Sequence, residues 1–537
     1  MAENNTNRFH IDTVDFTSDN YGTAQYLNNW PMLYILENGK NAYVGQTTNI
    51  VKRMSQHKQS TKKQIFKKAH FIYSDNLNQS VTFDYESKLI SLMAADGKFV
   101  LTNQNIGLAG LDYYDRDFYD NQFNELWKEL SNKHLVEHTI ESLRQSELFK
   151  YSPYKDLSEE QRALVNEIIQ NLKRSLDRKI VVNGMPGSGK TIASIYLFKM
   201  LREIPEFATL KIGMVVPPTA LRETYKRVFK SINGLSIKDV LGPSDVANKK
   251  YDILLVDEAH RLKMRKNLSS YALYDNTCKS LGMDNSANQL DWILSQTRCA
   301  ILFYDSNQIV FPAGLRIEKL VNSNPFDTRM LSYITLTSQM RCQGGIKYLV
   351  DVKELLNGKL NHKVSCDDYE LKIIDKFADF DKLQNAKEEQ TGLSRMIAGY
   401  AWKWISKNDV KNNTDNYDIE IEGIKKKWNS CVQGWVDNTE KIHEVGCIHS
   451  TQGYDLNYGF VILGKDIRYN PNTKQVYVDG SQYYDKYGKN GASIEELEEY
   501  IKNIYYVLMS RGIKGTYLYI CDQELKKYIS NYIDIVY

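Results

Sequence analysis

One octapeptide limits the folds open to this chain more than any other feature. GMPGSGKT, Gly184 to Thr191, directly follows the apolar run Ile180-Val181-Val182 and precedes the helix-like stretch IASIYLFKM. A glycine-rich turn between a buried strand and a helix start aims its backbone amides inward, where the positive end of the helix dipole favours phosphate. Gly184, Gly187, Ser188 and Gly189 therefore read as a phosphate cradle, Lys190 as the cation reaching the β- and γ-phosphates, and Thr191 as a hydroxyl that holds magnesium. The second half of such a site lies about seventy residues downstream in YDILLVDEAHRL, where Asp257 and Glu258 end the apolar strand pattern Ile253 to Val256. Adjacent carboxylates there divide the work. Asp257 would hold Mg2+ through its water shell, and Glu258 would orient and activate the water attacking the γ-phosphate of ATP.

From Lys179 onward, strand patterns alternate with helical ones: IVVNG, KIGMVVP followed by TALRETYKRVFKSI, YDILLVDE and CAILFYD. Past about Leu336 the alternation resumes with EVGCIHS, YGFVILG and TYLYICD. The expected fold class is α/β, with parallel-sheet domains at 151–335 and 336–537 facing each other across a cleft. Two polar insertions, Lys263 to Asn288 and Lys407 to Thr439, read as surface excursions. LSEEQRALVNEII opens the first of these domains with a serine cap and helical spacing. Upstream, residues 116–150 are charged and aromatic with helical spacing, a helical connector. Residues 1–30 form a polar, Asn-rich lead-in. Between lead-in and connector, residues 31–115 predict a small mixed α/β unit. Its strand patterns are Met32 to Leu36, Ala42 to Gly45 and His70 to Tyr73, with a basic helix from about Ile50 and a helix from Thr82 to Ala95.

Bulk charge says little about partners, because the net charge is +3 with 25% charged residues. Nucleic-acid affinity must then come from local patches. One exists between Lys52 and Lys68, where seven Lys or Arg occur without an Asp or Glu. The seven cysteines are scattered and never form a CxxC pair, which indicates neither a disulfide framework nor a zinc site and fits a reducing cytosol. The polar N-terminus and the lack of an apolar run near twenty residues predict neither signal peptide nor membrane span, hence a cytoplasmic location.

The ordered blocks LSEEQ, GMPGSGKT, VVPPTALR, LLVDEAHRL, FYDSNQ, SQMRC, IHSTQGYD and YVLMSRGIKGTY resemble the superfamily 1 helicase core, particularly the bacterial relatives of the Schlafen helicase domain. The resemblance spans about 150 to 537 and implies two RecA-like domains. It assigns Gln161 to the adenine edge, Gln308 to sensing the γ-phosphate, and Arg341 and Arg511 to the transition-state charge. Ser450, Thr451, Gln452, Gly453 and Asp455 would form a loop touching both ATP and a strand backbone. Pro217, Pro218 and Thr219 would touch phosphate and sugar without sequence choice. The DEAH spelling also occurs in superfamily 2, but FYDSNQ and YVLMSRGIKG resemble superfamily 1.

Within 31–110, MLY and YVG, with Tyr34 and Tyr43 nine residues apart, are followed by Gly45, Arg53, His57, Glu86 and Asn103. This order resembles the GIY-YIG nuclease signature, with Met32 where that family usually has glycine. Arg53 and His57 lie one helical turn apart and can face one phosphate. The resemblance implies that Glu86 anchors one divalent cation, Mg2+ or Mn2+, and that Arg53 neutralises nonbridging oxygens. Tyr34, Tyr43 or His57 would position or deprotonate the attacking water.

The expectation is an ATP-dependent helicase or translocase with a tethered, metal-dependent endonuclease. Its DNA would be single-stranded or junction-containing, in defence against foreign DNA or in repair. Two other readings fit the same residues: an ATP-driven switch whose small domain grips nucleic acid without cutting, and an RNA-directed nuclease or translocase.

Overall fold

The structure, a computed structural model, describes residues 9–27, 29–103, 113–152, 157–268, 270–316, 331–337, 339, 342–409, 415–430, 435–436, 438–451 and 454–536. The chain divides into two compact units. One comprises Met1–Ile169, Thr191–Ile212 and Arg222–Val240, and the other Gln170–Lys190, Gly213–Leu221 and Leu241–Tyr537.

The first unit is built on strands β1 His10–Asp15, β2 Met32–Glu37, β3 Asn41–Thr47, β4 Lys68–Tyr73 and β5 Val100–Leu101. Their order is β1-β4-β2-β3-β5. All residues of the central β2 are buried, as its unbroken apolar run MLYILE requires. Strands β2 and β3 pair antiparallel with Tyr34 opposite Gly45. The polar lead-in contributes β1, which pairs antiparallel with β4 from His10 opposite Tyr73 to Asp15 opposite Lys68. An edge strand of exposed and half-buried residues needs no apolar run, so its polar composition suffices.

Helix α1, Ile50–Gln59, starts at Asn49, whose side chain accepts from Lys52 N at 3.0 Å. Helix α2, Gln79–Asp96, starts at Asn78, which accepts from Val81 N at 3.0 Å. The connector helix Arg116–Asn132 packs on α2 through the rings of Phe123 and Tyr85, whose centroids lie 5.0 Å apart. Asp96, at the end of α2, accepts from the backbone of Glu137 at 3.0 Å and of His138 at 2.8 Å.

The second unit is organised around two parallel sheets. The first contains β6 Lys179–Gly184, β7 Ile212–Val215, β8 Val240–Leu241, β9 Tyr251–Val256, β10 Thr297–Tyr304 and β11 Leu331–Leu336, in the order β11-β6-β10-β9-β7-β8. Strands β11, β6, β10 and β9 run parallel. In the second half lie β12 Glu370–Ile374, β13 Ser394–Ala398, the hairpin β14 Ile419–Ile421 with β15 Ile424–Lys426, β16 Val445–Gly446 and β17 Leu456–Leu463. The hairpin β18 Ile467–Asn470 with β19 Gln475–Val478, then β20 Gly512–Ile520 and β21 Ile535–Val536, complete it. The second sheet has the order β16-β13-β17-β20-β12-β21, parallel throughout. Apolar clusters cover both of its faces, one around Leu349, Ile501 and Leu508 and the other around Phe380, Phe460 and Trp428.

The expected cleft between these sheets is bridged by side chains. Asn503 donates to Ile309 O at 2.9 Å, and Lys353 donates to Asn307 Oδ1 at 2.6 Å. The second insertion is more than a surface excursion. Buried Arg395 on β13 holds it by donating to Val436 O through Nε (3.1 Å) and Nη2 (2.8 Å), and Trp428 and Trp435 are fully buried. The described cysteines are free, and among the described residues no helix is long and apolar enough to cross a membrane.

Candidate active sites

Strands β2 and β3 and helix α1 bring one centre together in the first unit. Tyr34 Oη receives the Arg53 Nε proton at 3.0 Å and lies 2.8 Å from His57 Nε2. Arg53 only donates, so the tyrosine oxygen accepts from it, and the imidazole tautomer sets which of Tyr34 Oη and His57 Nε2 donates in the second bond. Burial, then Arg53 and Lys63, push His57 down to about 4, so the ring is neutral at pH 7. The Tyr43 ring lies 5.4 Å from that of His57 and 6.2 Å from that of Tyr34. Gly45 is dictated by close approach: a Cβ there would run into the Tyr34 ring. Asn103 pairs with both the N–H (3.0 Å) and C=O (2.8 Å) of Val44, fixing β3.

Glu86, on α2, faces the same centre, and its charge is felt by both Tyr34 and Tyr43. Burial raises its carboxyl to about 7, against the pull of Arg53 and the Gln46 backbone. A desolvated carboxylate oxygen fits a hard divalent cation, which would displace the proton. Among the described residues no group of three or more His, Cys, Asp or Glu could hold a metal, so a cation at Glu86 would take its other ligands from water and substrate. Met32 is fully buried and joins the apolar core beneath the sheet, so the departure at this position is absorbed by packing.

The second centre forms at the carboxyl ends of β6, β9 and β10. Gly187 and Gly189 have φ of +83° and +76°, the left-handed geometry that turns loop amides inward. Gly184 leaves room for Ser188 Oγ, 2.6 Å from where a Cβ would stand. Lys190 Nζ donates to Gly184 O at 2.6 Å and Met185 O at 2.9 Å, and reaches Asp305 Oδ2 at 3.4 Å. Gln308 Nε2 donates to the same Asp305 oxygen at 2.7 Å. The expected γ-phosphate sensor is thus tied to the loop lysine through one carboxylate.

Asp257 is buried at the end of β9, with its N–H on Val215 O at 3.0 Å. Glu258 follows with φ +51°, and its Oε2 lies 2.9 Å from His260 Nε2. Burial opposes ionisation of Glu258, but His260 and then Lys190 outweigh it and hold the carboxyl below its usual range. Arg511, 1% exposed, is anchored by Nε on Val507 O at 3.1 Å. Asp305 and Arg511 both act on the buried Tyr506 hydroxyl, which burial pushes up. The oxygen donors Thr191 and Asp257, with the turned loop amides, suit a magnesium–nucleotide complex.

Gln161 belongs to the first unit. Fully buried, it closes a capping box: its Oε1 accepts from Ser158 N at 3.0 Å while its N–H donates to Ser158 Oγ at 3.2 Å. The helix cap thus occupies its amide oxygen. Arg341, Gln452 and Gly453 lie outside the described residues. Three participants were not singled out from sequence. Asp305 links Lys190 to Gln308, Gln339 donates to Pro186 O at 2.5 Å, and Lys63 places its ammonium over the Tyr43 ring. The signal for the first two was present, since both fall inside the blocks FYDSNQ and SQMRC.

Fold and sites together define a P-loop hydrolase of two parallel sheets joined to a small mixed α/β nuclease domain. Residues 177–522 match the Schlafen group 3, DNA/RNA helicase domain, and residues 31–94 match the GIY-YIG catalytic domain. The chain belongs to the Schlafen group 3 helicase family. It is an enzyme, a helicase-type ATP hydrolase that also carries a GIY-YIG nuclease domain. An uncharacterized protein of Saccharomyces cerevisiae is 24% identical over 429 residues, 69% of this chain and 90% of the relative. A Pif1 helicase from Bacteroides in complex with ADP-AlF3 and ssDNA is 12% identical, covers 68% of this chain and 92% of its own, and has a TM-score of 0.29. The arterivirus nonstructural protein 10 helicase is also 12% identical, over 68% of this chain and 64% of its own, with a TM-score of 0.29.

Proposed function

We propose that this chain is an ATP-driven helicase or translocase on single-stranded or junction-containing DNA, whose nuclease domain at about 31–115 cuts the DNA that the motor at 151–537 engages. The observation that carries this reading is the coexistence of two separate centres. One is the Lys190–Asp305–Gln308 cluster beside Glu258, and the other is the Tyr34–Arg53–His57 hub facing Glu86.

In the nuclease centre, Tyr34 takes the proton from the attacking water as its own passes to neutral His57. Arg53 lowers the cost of charge on Tyr34 and, through its remaining N–H groups, of charge on the phosphate. The hydroxide oxygen bonds to phosphorus as the bond to the leaving oxygen breaks. A Mg2+ or Mn2+ ion held by Glu86 would supply charge stabilisation there. In the motor, Lys190 and the Gly184–Thr191 amides grip the phosphates, Glu258 orients the water, and Arg511, with Arg341, meets the charge that builds on the γ-phosphate. Gln308 exchanges its bond to Asp305 for the phosphate, which makes it the sensor. Thr191 and Asp257 would hold the Mg2+ that neutralises phosphate charge. Gln161 would read the adenine edge, and Gly453 would touch the bound ATP.

Tethering raises the concentration of one site near the other's substrate, which suits cytoplasmic defence against foreign DNA, or repair. A second reading, action on RNA, is favoured by the matched DNA/RNA helicase family and by backbone contacts that ignore the sugar. ATPase activity with and without single-stranded DNA, beside metal-dependent cleavage of matched DNA and RNA strands, tests the proposal. Stimulation and cleavage by DNA are expected. Preference for RNA in both assays selects the second reading, and a chain with neither activity refutes both.

A further inference from the structure

The nuclease family match covers residues 31–94, yet the segment before it is built into the same core. Phe16, Tyr21 and Ala24 are buried in one apolar cluster with Tyr34 from β2 and with Ile50 and Met54 from α1. The Tyr21 ring stands edge-on to Phe71 with centroids 6.0 Å apart, and Phe16 stands edge-on to Phe66 at 6.4 Å. Backbone bonds fix the path, since β1 pairs with β4 and Phe16 N then donates to Lys67 O at 2.8 Å. Asp12 Oδ2 accepts from Thr23 N at 3.0 Å and from the Tyr73 hydroxyl at 3.2 Å, which closes residues 12–23 into a loop.

That loop receives the side chain of Lys58, the residue after His57. Its ammonium donates to Ser18 O at 2.6 Å, Asp19 Oδ1 at 2.8 Å and Tyr21 Oη at 3.1 Å, with Thr17 O at 3.4 Å. Three short acceptors match the three N–H groups of an ammonium, a tripod that a planar guanidinium does not reproduce. Burial opposes the charge, but Asp19 and Tyr21 outweigh it and hold Lys58 above its usual range. Among the described residues, Lys58 is the one lysine of the basic run 52–68 whose side chain is hydrogen-bonded, so it faces the fold while its neighbours face solvent. Helix α1 has ten residues and buries three of them, too few to hold its place alone. Asn49 fixes its first turn and Lys58 its last. Between the two lie Arg53 and His57, whose side chains converge on Tyr34 Oη at 3.0 and 2.8 Å.

We propose that Lys58 is a positioning residue of the nuclease: clasped by residues 17–21, it holds the last turn of α1 so that Arg53 and His57 meet Tyr34. The segment 10–27 is then part of the cutting domain, a strap across its catalytic helix. The inference rests on the nuclease reading and extends it to a clasp that acts through Arg53 and His57 without touching DNA or metal.

The test uses the full chain. Single-turnover cleavage of DNA with Mn2+ is measured well below each thermal midpoint for the parent, Lys58→Met, Lys58→Arg and Asp19→Ala. Strand affinity across a salt series and strand-stimulated ATPase are measured beside it. Lys58→Met should cut about 10- to 100-fold more slowly, because small misplacement of the reacting groups is costly, while strand affinity, salt slope and ATPase stay parental. Lys58→Arg keeps the charge but not the tripod, so it should fall in between. Asp19→Ala removes one acceptor and should slow cleavage by about two- to tenfold. If Lys58→Met does not fold, Asp19→Ala decides, and a parental cleavage rate there overturns the clasp. Parental cleavage in Lys58→Met overturns it as well. Weaker strand binding in Lys58→Met with a salt slope shallower by about one, restored in Lys58→Arg, makes Lys58 a DNA contact and overturns the clasp. A loss of rate that vanishes on cooling marks a role in stability alone and also overturns it. A parent that does not cleave overturns the nuclease reading itself.

Discussion

At the scale of single residues, the nuclease centre turns on one oxygen. Tyr34 Oη is shared by Arg53 and His57, so Tyr34→Phe removes the proton path while leaving ring and fold in place. Single-turnover cleavage should fall by about 10²- to 10⁴-fold with little change in strand affinity. Gly45→Ala should cost about 1–3 kcal/mol, read as a lowered thermal midpoint, because the Tyr34 ring occupies the space of the new methyl. His57 also sets a pH dependence. Its folded value is depressed to about 4 from 6.5, so the unfolded chain binds more protons between those limits. The contribution is present above pH 6.5 and lost as pH falls toward 4. Glu86 works in the opposite sense, since its value is raised from 4.5 to about 7 and its contribution is lost as pH rises through that window. The difference in melting temperature between the parent and His57→Gln, followed from pH 7 to 4, isolates the first term. It should change steadily over that range, and a flat difference would contradict the assignment.

Elements decide which residues meet. Helix α1 carries Arg53 and His57, and its start is set by the Asn49 cap, so Asn49→Ala should cost about 1 kcal/mol in denaturant unfolding. Cleavage should drop with it, because fraying the first turn moves Arg53. The strands that frame both sites were legible in sequence because buried runs such as MLYILE, YDILLV and CAILFY leave few alternatives. Strand β1 was not, because an edge strand of polar residues carries no periodic signal against its lead-in. Gln161 carries two readings of different origin: its spacing from Ser158 marks the helix cap that forms, and only the family resemblance points to adenine. Lys63 was hidden in a run of lysines, and only the turn after α1 lays it across Tyr43. Arg261 and Lys263 lie nearly two hundred residues from His449 in the chain, and the fold brings all three to one cavity.

For the whole molecule, the central claim is that one polypeptide holds two hydrolytic centres built from different groups. Lys190 and Glu258 serve one, and Glu86 and Tyr34 the other, with no residue in common. Lys190→Ala should lower ATPase at least a hundredfold, as loss of a charge that grips the phosphates. The most direct measurement assays ATP hydrolysis and metal-dependent DNA cleavage side by side in the parent, Lys190→Ala and Glu86→Ala. The account expects Glu86→Ala to abolish cleavage while keeping strand-stimulated ATPase, and Lys190→Ala to abolish ATPase while retaining metal-dependent nicking. Cleavage at the parental rate in Glu86→Ala, or ATPase at the parental rate in Lys190→Ala, would contradict it.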